Sequence, residues 1–239
     1  GLKFQPPEID LQRIRQWSRG VIDKMSNGLI SLCKQRGVDF VHGRARFLDS
    51  NSLIINENEQ IKFDHCILAT GSQPVCPPLF SKISDRLLTS TSALELEEIP
   101  ERLLVVGGGY IGLEMGTVYS ALGSRVTVVE MTGDLLPGVD RDLVRALLPR
   151  LKSKFQSIYL NTQVTSCELK ENKVAAEFEG PGDIEPANYD RVLVAVGRKP
   201  NSMDLGLEST RVRMDDKGFV KVDEGYQTAE PSIFAIGDV

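Results

Sequence analysis

Gly107, Gly109 and Gly112 stand in the order Gly-x-Gly-x-x-Gly, and an acid, Glu130, follows about 20 residues later. The glycines follow four apolar residues, Leu103-Leu104-Val105-Val106. They open a segment, Tyr110-Ile111-Gly112-Leu113-Glu114-Met115-Gly116, that reads as helix. Each position has a chemical reason. Gly107 permits a tight turn out of a strand, Gly109 leaves the backbone open to a pyrophosphate, and Gly112 lets the helix lie close to the strand. With Gly108 they form a cradle, and the N–H groups and positive dipole end of the helix face the phosphates. Glu130 is placed to accept hydrogen bonds from ribose hydroxyls and to repel a 2′-phosphate. At ~4 Å, like unit charges cost ~1 kcal/mol in water and ~4 kcal/mol at an intermediate dielectric. No arginine occupies 131–135 to reverse that preference, and Arg125 opens the strand at its far end. The competing reading of Glu130 is a solvated acid at a strand end.

Positioning these residues takes a strand, a helix and a second strand. The helix ends at Ala121-Leu122-Gly123, with Gly123 placed as its C-terminal cap. Arg125-Val126-Thr127-Val128-Val129 then reads as the second strand, delivering Glu130 at its end. Upstream, Glu8 to Arg36 reads as one long helix, with Ile14, Trp17, Val21, Ile22, Met25, Leu29, Leu32 and Cys33 on one face and Gly37 as its stop. Strands are expected at 39–47, 52–55 and 60–69, joined by turn-like links as a meander. The Pro- and Ser-rich stretch 72–100 reads as a crossing between domains. Helix is expected over 140–155, kinked or interrupted at Pro149. Further strands are expected at 157–160, 164–169, 173–179, 191–196, 219–222 and 233–236. This order points to an α/β fold with a parallel sheet covered on one face by a β-meander.

Composition narrows the function. Hydrophobic residues make up 41% and charged residues 26%, a globular balance. The net charge of −5 comes with no basic run, which argues against nucleic acid as a partner. The longest apolar stretch, Leu103 to Leu113, is interrupted by glycines and too short to cross a bilayer, so no membrane is expected. Cys33, Cys66, Cys76 and Cys167 have the spacing of neither a zinc site nor a redox pair, and read as reduced thiols of a cytoplasmic protein. His42 and His65 stand apart from any cluster, so no metal site and no catalytic histidine is expected. The chain starts at Gly1 and ends in Gly237-Asp238-Val239, and reads as the central piece of a longer protein.

Two further motifs add a resemblance. Cys66-Ile67-Leu68-Ala69-Thr70-Gly71-Ser72 is a strand followed by Ala-Thr-Gly-Ser. Val192 to Asn201 is a strand followed by Gly197-Arg198-Lys199-Pro200-Asn201. With the terminal Phe234-Ala235-Ile236-Gly237-Asp238, they closely resemble the flavoprotein pyridine nucleotide-disulfide reductases. The stretches 112–124 and 126–131 look most like the dihydrolipoamide dehydrogenases of 2-oxo acid dehydrogenase complexes. The fold this implies is a Rossmann-like one with two dinucleotide sites, FAD and NAD. It implies residues 1–95 as the later part of an FAD-binding domain with a crossing segment, 96–225 as the NAD-binding domain, and 226–239 as a return strand of the FAD-binding domain.

The resemblance also implies roles. Gly107, Gly108, Gly109, Ile111 and Gly112 would line the NAD pyrophosphate, and Glu130 the adenine ribose. Tyr110 matches a ring that lies over the flavin in some relatives, and reads equally as a packing residue. Glu114 matches an acid facing the flavin side; without its lysine partner it must be solvated or shift its pKa. Backbone at Val164 and Gly197 matches the two ends of NAD, although both also read as ordinary strand positions. For FAD, Ala45 matches an adenine contact, Thr70 and Gly71 the isoalloxazine path, and Asp238 the ribitol or ribose side. The family's redox Cys-x4-Cys and catalytic His-Glu pairs have no counterpart in this sequence. The implied reaction of the parent protein is oxidation of dihydrolipoamide by NAD⁺ through FAD, in a homodimer serving a lipoyl-bearing acyltransferase. Soluble transhydrogenase, mercuric reductase and NADH oxidase, or a nucleotide-binding module without turnover, are the alternatives.

Overall fold

A computed structural model describes residues 5, 7–182 and 184–239. The chain forms two compact units. One takes in residues up to Met25 together with Pro74–Gly197, and the other takes in Ser26–Gln73 and Arg198–Val239. Segment 74–95 thus packs with 96–197, and segment 198–225 with the second unit. The divisions expected from sequence fall at 95 and 225.

The first unit is built on a five-stranded parallel sheet. Its spatial order is Leu87–Leu88, Arg191–Val194, Arg102–Val106, Arg125–Val129, Ser157–Tyr159. These strands are nearly continuous apolar runs, as a sheet buried on both faces requires. Leu103, Leu104, Val105, Val126, Val128, Val192 and Leu193 are wholly buried. The fingerprint helix, Tyr110–Ala121, and the helix Arg141–Lys154 pack on one face through Leu113, Met115, Val144, Leu151 and Phe155. An antiparallel meander, Gln163–Lys170, Lys173–Glu179 and Ala187–Tyr189, supplies the other core through Val164, Cys167, Val174, Ala176 and Tyr189. This is the expected parallel sheet with its covering meander. The segment 72–100 does more than cross. Its 3-10 helix Pro78–Arg86 buries Phe80 and Ile83, and Leu87–Leu88 forms a sheet edge. Thr89 and Ser92 make a reciprocal capping box on Ser90–Ala93.

Of the kink or interruption expected at Pro149, the interruption does not occur: helix Arg141–Lys154 runs through it. Pro149 and Arg145 are both exposed, so water can satisfy the carbonyl that proline leaves without a donor. The fingerprint helix ends as expected. Gly123 takes φ +112°, Gly123 N–H donates to Ser120 O, and Ser124 N–H donates to Tyr119 O. Leu11–Gln35 is helical, but it buries none of its residues. Trp17, on the apolar face read from the sequence, is 73% exposed.

The second unit holds the meander Ala45–Asp49, Ser52–Ile55 and Glu59–Lys62. Cys66–Leu68 also pairs there, in parallel, with Ile233–Ala235. Residues 39–44 are not strand. The expected strand at 60–69 is two strands, and 219–222 contributes only an isolated bridge between Met214 and Val220. Phe47, Leu68, Leu207, Val220, Ile233 and Ala235 form this unit's core.

Candidate nucleotide sites

In the first unit, strand 102–106 lies at the point where strand order reverses. The chain proceeds from it to 125–129 and 157–159 on one side, and returns at 191–194 on the other. Ligand crevices in open α/β sheets lie beyond the carboxyl ends of the strands at such a point. There the sequence places Gly107 to Gly109. Gly107 N–H donates to Val129 O (2.9 Å) and Ala195 N–H to Val106 O (2.8 Å), so the three strand ends are held together.

The fingerprint glycines divide by what surrounds them. Gly107 has φ +110°, and a Cβ there would lie 2.4 Å from the Ala195 carbonyl oxygen. A Cβ on Gly112 would lie 2.2 Å from the Gly107 carbonyl oxygen. Both glycines are therefore needed by the fold. At Gly109 nothing lies within 4 Å of the Cβ position. Gly109 is the N-cap of the helix and offers it no side-chain acceptor. The helix start thus presents uncapped N–H groups into open space, which fits an anionic pyrophosphate.

Glu130 is 6% exposed, which removes the reading of a solvated strand-end acid. Its Oε2 accepts from Gly108 N–H (2.6 Å), and its Oε1 from both Thr132 N–H and Thr132 Oγ1 (2.8 Å each). The carboxylate is fixed against the glycine turn, and Oε2 keeps one lone pair free. Arg141, the first arginine after this strand, is occupied elsewhere. Its guanidinium donates to the carbonyls of Leu135 (3.0 Å), Leu136 (2.6 Å) and Val139 (2.9 Å). Tyr110 is 61% exposed. Ile111 packs partly into the core, and Glu114 is exposed, so it meets water. Gly197 is exposed with φ +138°, while the Val164 side chain lies in the core beside a register shift.

The second unit brings the other motifs together. Thr70 Oγ1 donates to Asn201 O (2.9 Å), Asn201 Nδ2 to Thr70 O (3.0 Å), and Asn201 N–H to Gly71 O (2.8 Å). Ser72 Oγ donates to Asp238 Oδ2 (3.2 Å). Arg198 donates to Ser72 Oγ (2.7 Å) and Ser72 O (2.6 Å), and lies 3.9 Å from Asp238 Oδ2. The Asp238 side chain stays 67% exposed at the end of this network. Ala45 sits half-buried opposite Ile55. An exposed acid held by serine and arginine beside a Thr-Gly turn fits a hydroxyl-rich ligand chain.

All four cysteines are free. Burial pushes the Cys167 thiol up to about 11 and raises that of Cys66 as well. Neither is a thiolate nucleophile at neutral pH. Among the described residues no cluster of His, Cys, Asp and Glu could hold a metal. His42 is exposed, and His65 stacks edge-on with Phe234. The sequence reading missed Thr132, Arg141 and the Ser72–Asp238 link. A hydroxyl two residues past Glu130 was the one available signal.

The Pyridine nucleotide-disulphide oxidoreductase family model matches residues 4–239. The chain belongs to this family. It is 42% identical to a dihydrolipoyl dehydrogenase of Vibrio parahaemolyticus, with 100% of the chain covering 51% of that protein. It is 38% identical to a dihydrolipoyl dehydrogenase of Geobacillus stearothermophilus, with the same coverage. The fold is similar to the HOCl-induced flavoprotein disulfide reductase RclA from Escherichia coli, with a TM-score of 0.86 at 29% identity. That match covers 96% of this chain and 52% of RclA. The chain thus spans about half the length of the relatives it matches.

Proposed function

We propose that the first unit binds NAD(H), that the second contributes to an FAD site, and that the full-length protein oxidises dihydrolipoamide with NAD⁺. The carrying observation is the buried Glu130 carboxylate locked against Gly108 at the reversal point of the sheet. The identity of about 40% to dihydrolipoyl dehydrogenases, against 29% to RclA, favours this substrate over those of other disulfide reductases.

In the net reaction dihydrolipoamide loses two electrons and two protons, closing its disulfide. NAD⁺ takes one hydride, and one proton goes to solvent. FAD, when bound, supplies the two-electron relay between dithiol and nicotinamide. Gly107 to Gly112 hold the nucleotide's pyrophosphate, and Glu130 accepts from the ribose and excludes a 2′-phosphate. Gly197 borders the nicotinamide end and Val164 the adenine end. Tyr110 and Glu114 open the helix of this nucleotide site. Ala45, Thr70, Gly71 and Asp238 hold the flavin nucleotide. The protein is a homodimer in the cytoplasm, and its partner is a lipoyl-bearing acyltransferase. No helix among the described residues is long and apolar enough to cross a membrane.

The test is an assay of the full-length protein with dihydrolipoamide and NAD⁺, beside calorimetric titration with NADH and NADPH. NADH formation and at least roughly ten-fold tighter NADH binding are expected, a difference of about 1.4 kcal/mol. Equal affinity for both nucleotides overturns the role of Glu130. A protein inert toward dihydrolipoamide but active with NADPH and NAD⁺ supports the transhydrogenase alternative instead.

A further inference from the structure

We propose that Thr132 is a positioning residue that sets nucleotide selectivity by fixing the Glu130 carboxylate; this rests on the NAD(H) reading of the first unit. Thr132 gives one oxygen of Glu130 two bonds, from its N–H and its hydroxyl, each at 2.8 Å. The hydroxyl has a single proton and a second neighbour, the Asp134 carbonyl, at 2.9 Å. The charged acceptor is the stronger of the two, so the proton points to Glu130. With Oε1 filled by Thr132 and one side of Oε2 filled by Gly108 N–H, a single acceptor direction remains. It belongs to a group that cannot turn. The strand end beneath is also tied down: Thr162 N–H donates to Glu130 O and Asn161 N–H to Thr132 O, both at 2.9 Å.

A fixed carboxylate discriminates in two ways. It presents its free lone pair to a ribose hydroxyl without first losing rotamer freedom. It also cannot swing away from a 2′-phosphate. Removing the hydroxyl leaves only the Thr132 N–H on Oε1, and the carboxylate can then rotate about its last torsion. NADH should bind less tightly and NADPH should be excluded less strongly, so the ratio of the two affinities falls further than either value alone.

The experiment is calorimetric titration of the full-length protein with NADH and with NADPH, for wild type, Thr132→Val, Thr132→Ala and Thr132→Ser. Loss of one charge-assisted hydrogen bond predicts an NADH affinity about five- to ten-fold weaker in the Val and Ala variants. Their NADH-to-NADPH affinity ratio should fall by at least as much, while Thr132→Ser keeps both wild-type values. Thr132 is exposed, so neither Val nor Ala opens a core cavity, and their melting temperatures should fall by no more than the loss of one hydrogen bond accounts for, while Thr132→Ser melts as wild type. An unchanged affinity ratio in Thr132→Val and Thr132→Ala, in a wild-type protein that does prefer NADH, overturns the role of Thr132 alone. The role is also overturned if Thr132→Ser behaves like Val, or if all three variants merely lose stability. A wild-type protein that does not prefer NADH overturns the underlying reading instead.

Discussion

At the scale of single residues, the fingerprint glycines have separable duties, and substitution separates them. Gly112→Ala drives a Cβ to 2.2 Å from a backbone oxygen, which cannot give way as a flexible side chain can. It should cost about 1–3 kcal/mol through helix displacement. Gly109→Ala meets open space, at a φ of −74° that alanine accepts. It should leave stability within ~0.5 kcal/mol of wild type, yet weaken NADH binding about ten-fold or more by filling the pyrophosphate approach. Paired thermal melts and NADH titrations check both statements; a Gly109→Ala protein that melts early but binds normally would reverse the assignment. The contrast also shows what was legible. Glycine is demanded by backbone geometry, so Gly107 and Gly112 could be read directly, and Glu130 could be read as the acid that ends the second strand. Thr132 and Glu230 could not, because a hydroxyl or carboxylate does not announce which distant atom it will meet.

At the scale of elements, Glu230 supplies the clearest case. It lies within Thr228-Ala229-Glu230-Pro231, is 4% exposed, and accepts from Arg211 Nη2 (3.0 Å), Arg211 Nε (3.2 Å) and Ser50 Oγ (2.5 Å). These bonds tie Glu230 to Arg211, 19 residues away in sequence, and to Ser50, 180 residues away. The Arg211 hydrogen bonds, followed by that of Ser50, pull its carboxyl down from 4.5 to about 2. A depressed folded-state pKa contributes stability that is present above about 4.5 and lost as pH falls through about 2. Glu230→Gln should therefore destabilise the second unit by about 1–3 kcal/mol at neutral pH. The deficit should shrink as pH falls from about 4.5 toward 2, which denaturant melts across that range would follow. Helix 11–35 makes the opposite point. Its apolar stripe was plain in the sequence, yet Trp17 and Met25 remain 73% and 67% exposed. Trp17→Ser should shift the stability of the 239-residue chain by less than ~0.5 kcal/mol, whereas Leu104→Ala in the sheet should cost about 2–5 kcal/mol. Periodicity reports that a face can be buried, not that a partner is present. The reverse error occurred at Leu87–Leu88, a two-residue edge strand too short to show any period.

At the scale of the whole molecule, the order of strands and helices was readable because each long apolar run had one stable use in a parallel sheet. The division into units was less so: residues 74–95 look like a linker by composition, but Phe80, Ile83 and Ala93 bury fully with the first unit. The functional consequence concerns what these units can do without further chain. Dihydrolipoamide oxidation needs a dithiol pair to exchange with substrate and a base to activate it. Here all four cysteines are free, and burial raises the thiols of Cys66 and Cys167. His42 is exposed, and His65 stacks edge-on with Phe234. The proposed nucleotide cradle, by contrast, lies within the first unit from Gly107 to Glu130. The 239-residue chain should therefore bind NADH measurably, form no NADH from dihydrolipoamide, and carry no stoichiometric flavin after purification. The full-length protein should bind NADH, form NADH from dihydrolipoamide, retain stoichiometric flavin and run as a homodimer in sedimentation. Turnover by the 239-residue chain, or a yellow flavin spectrum from it, would place the redox chemistry within these two units and contradict the division of labour argued from the thiols and the glycine cradle.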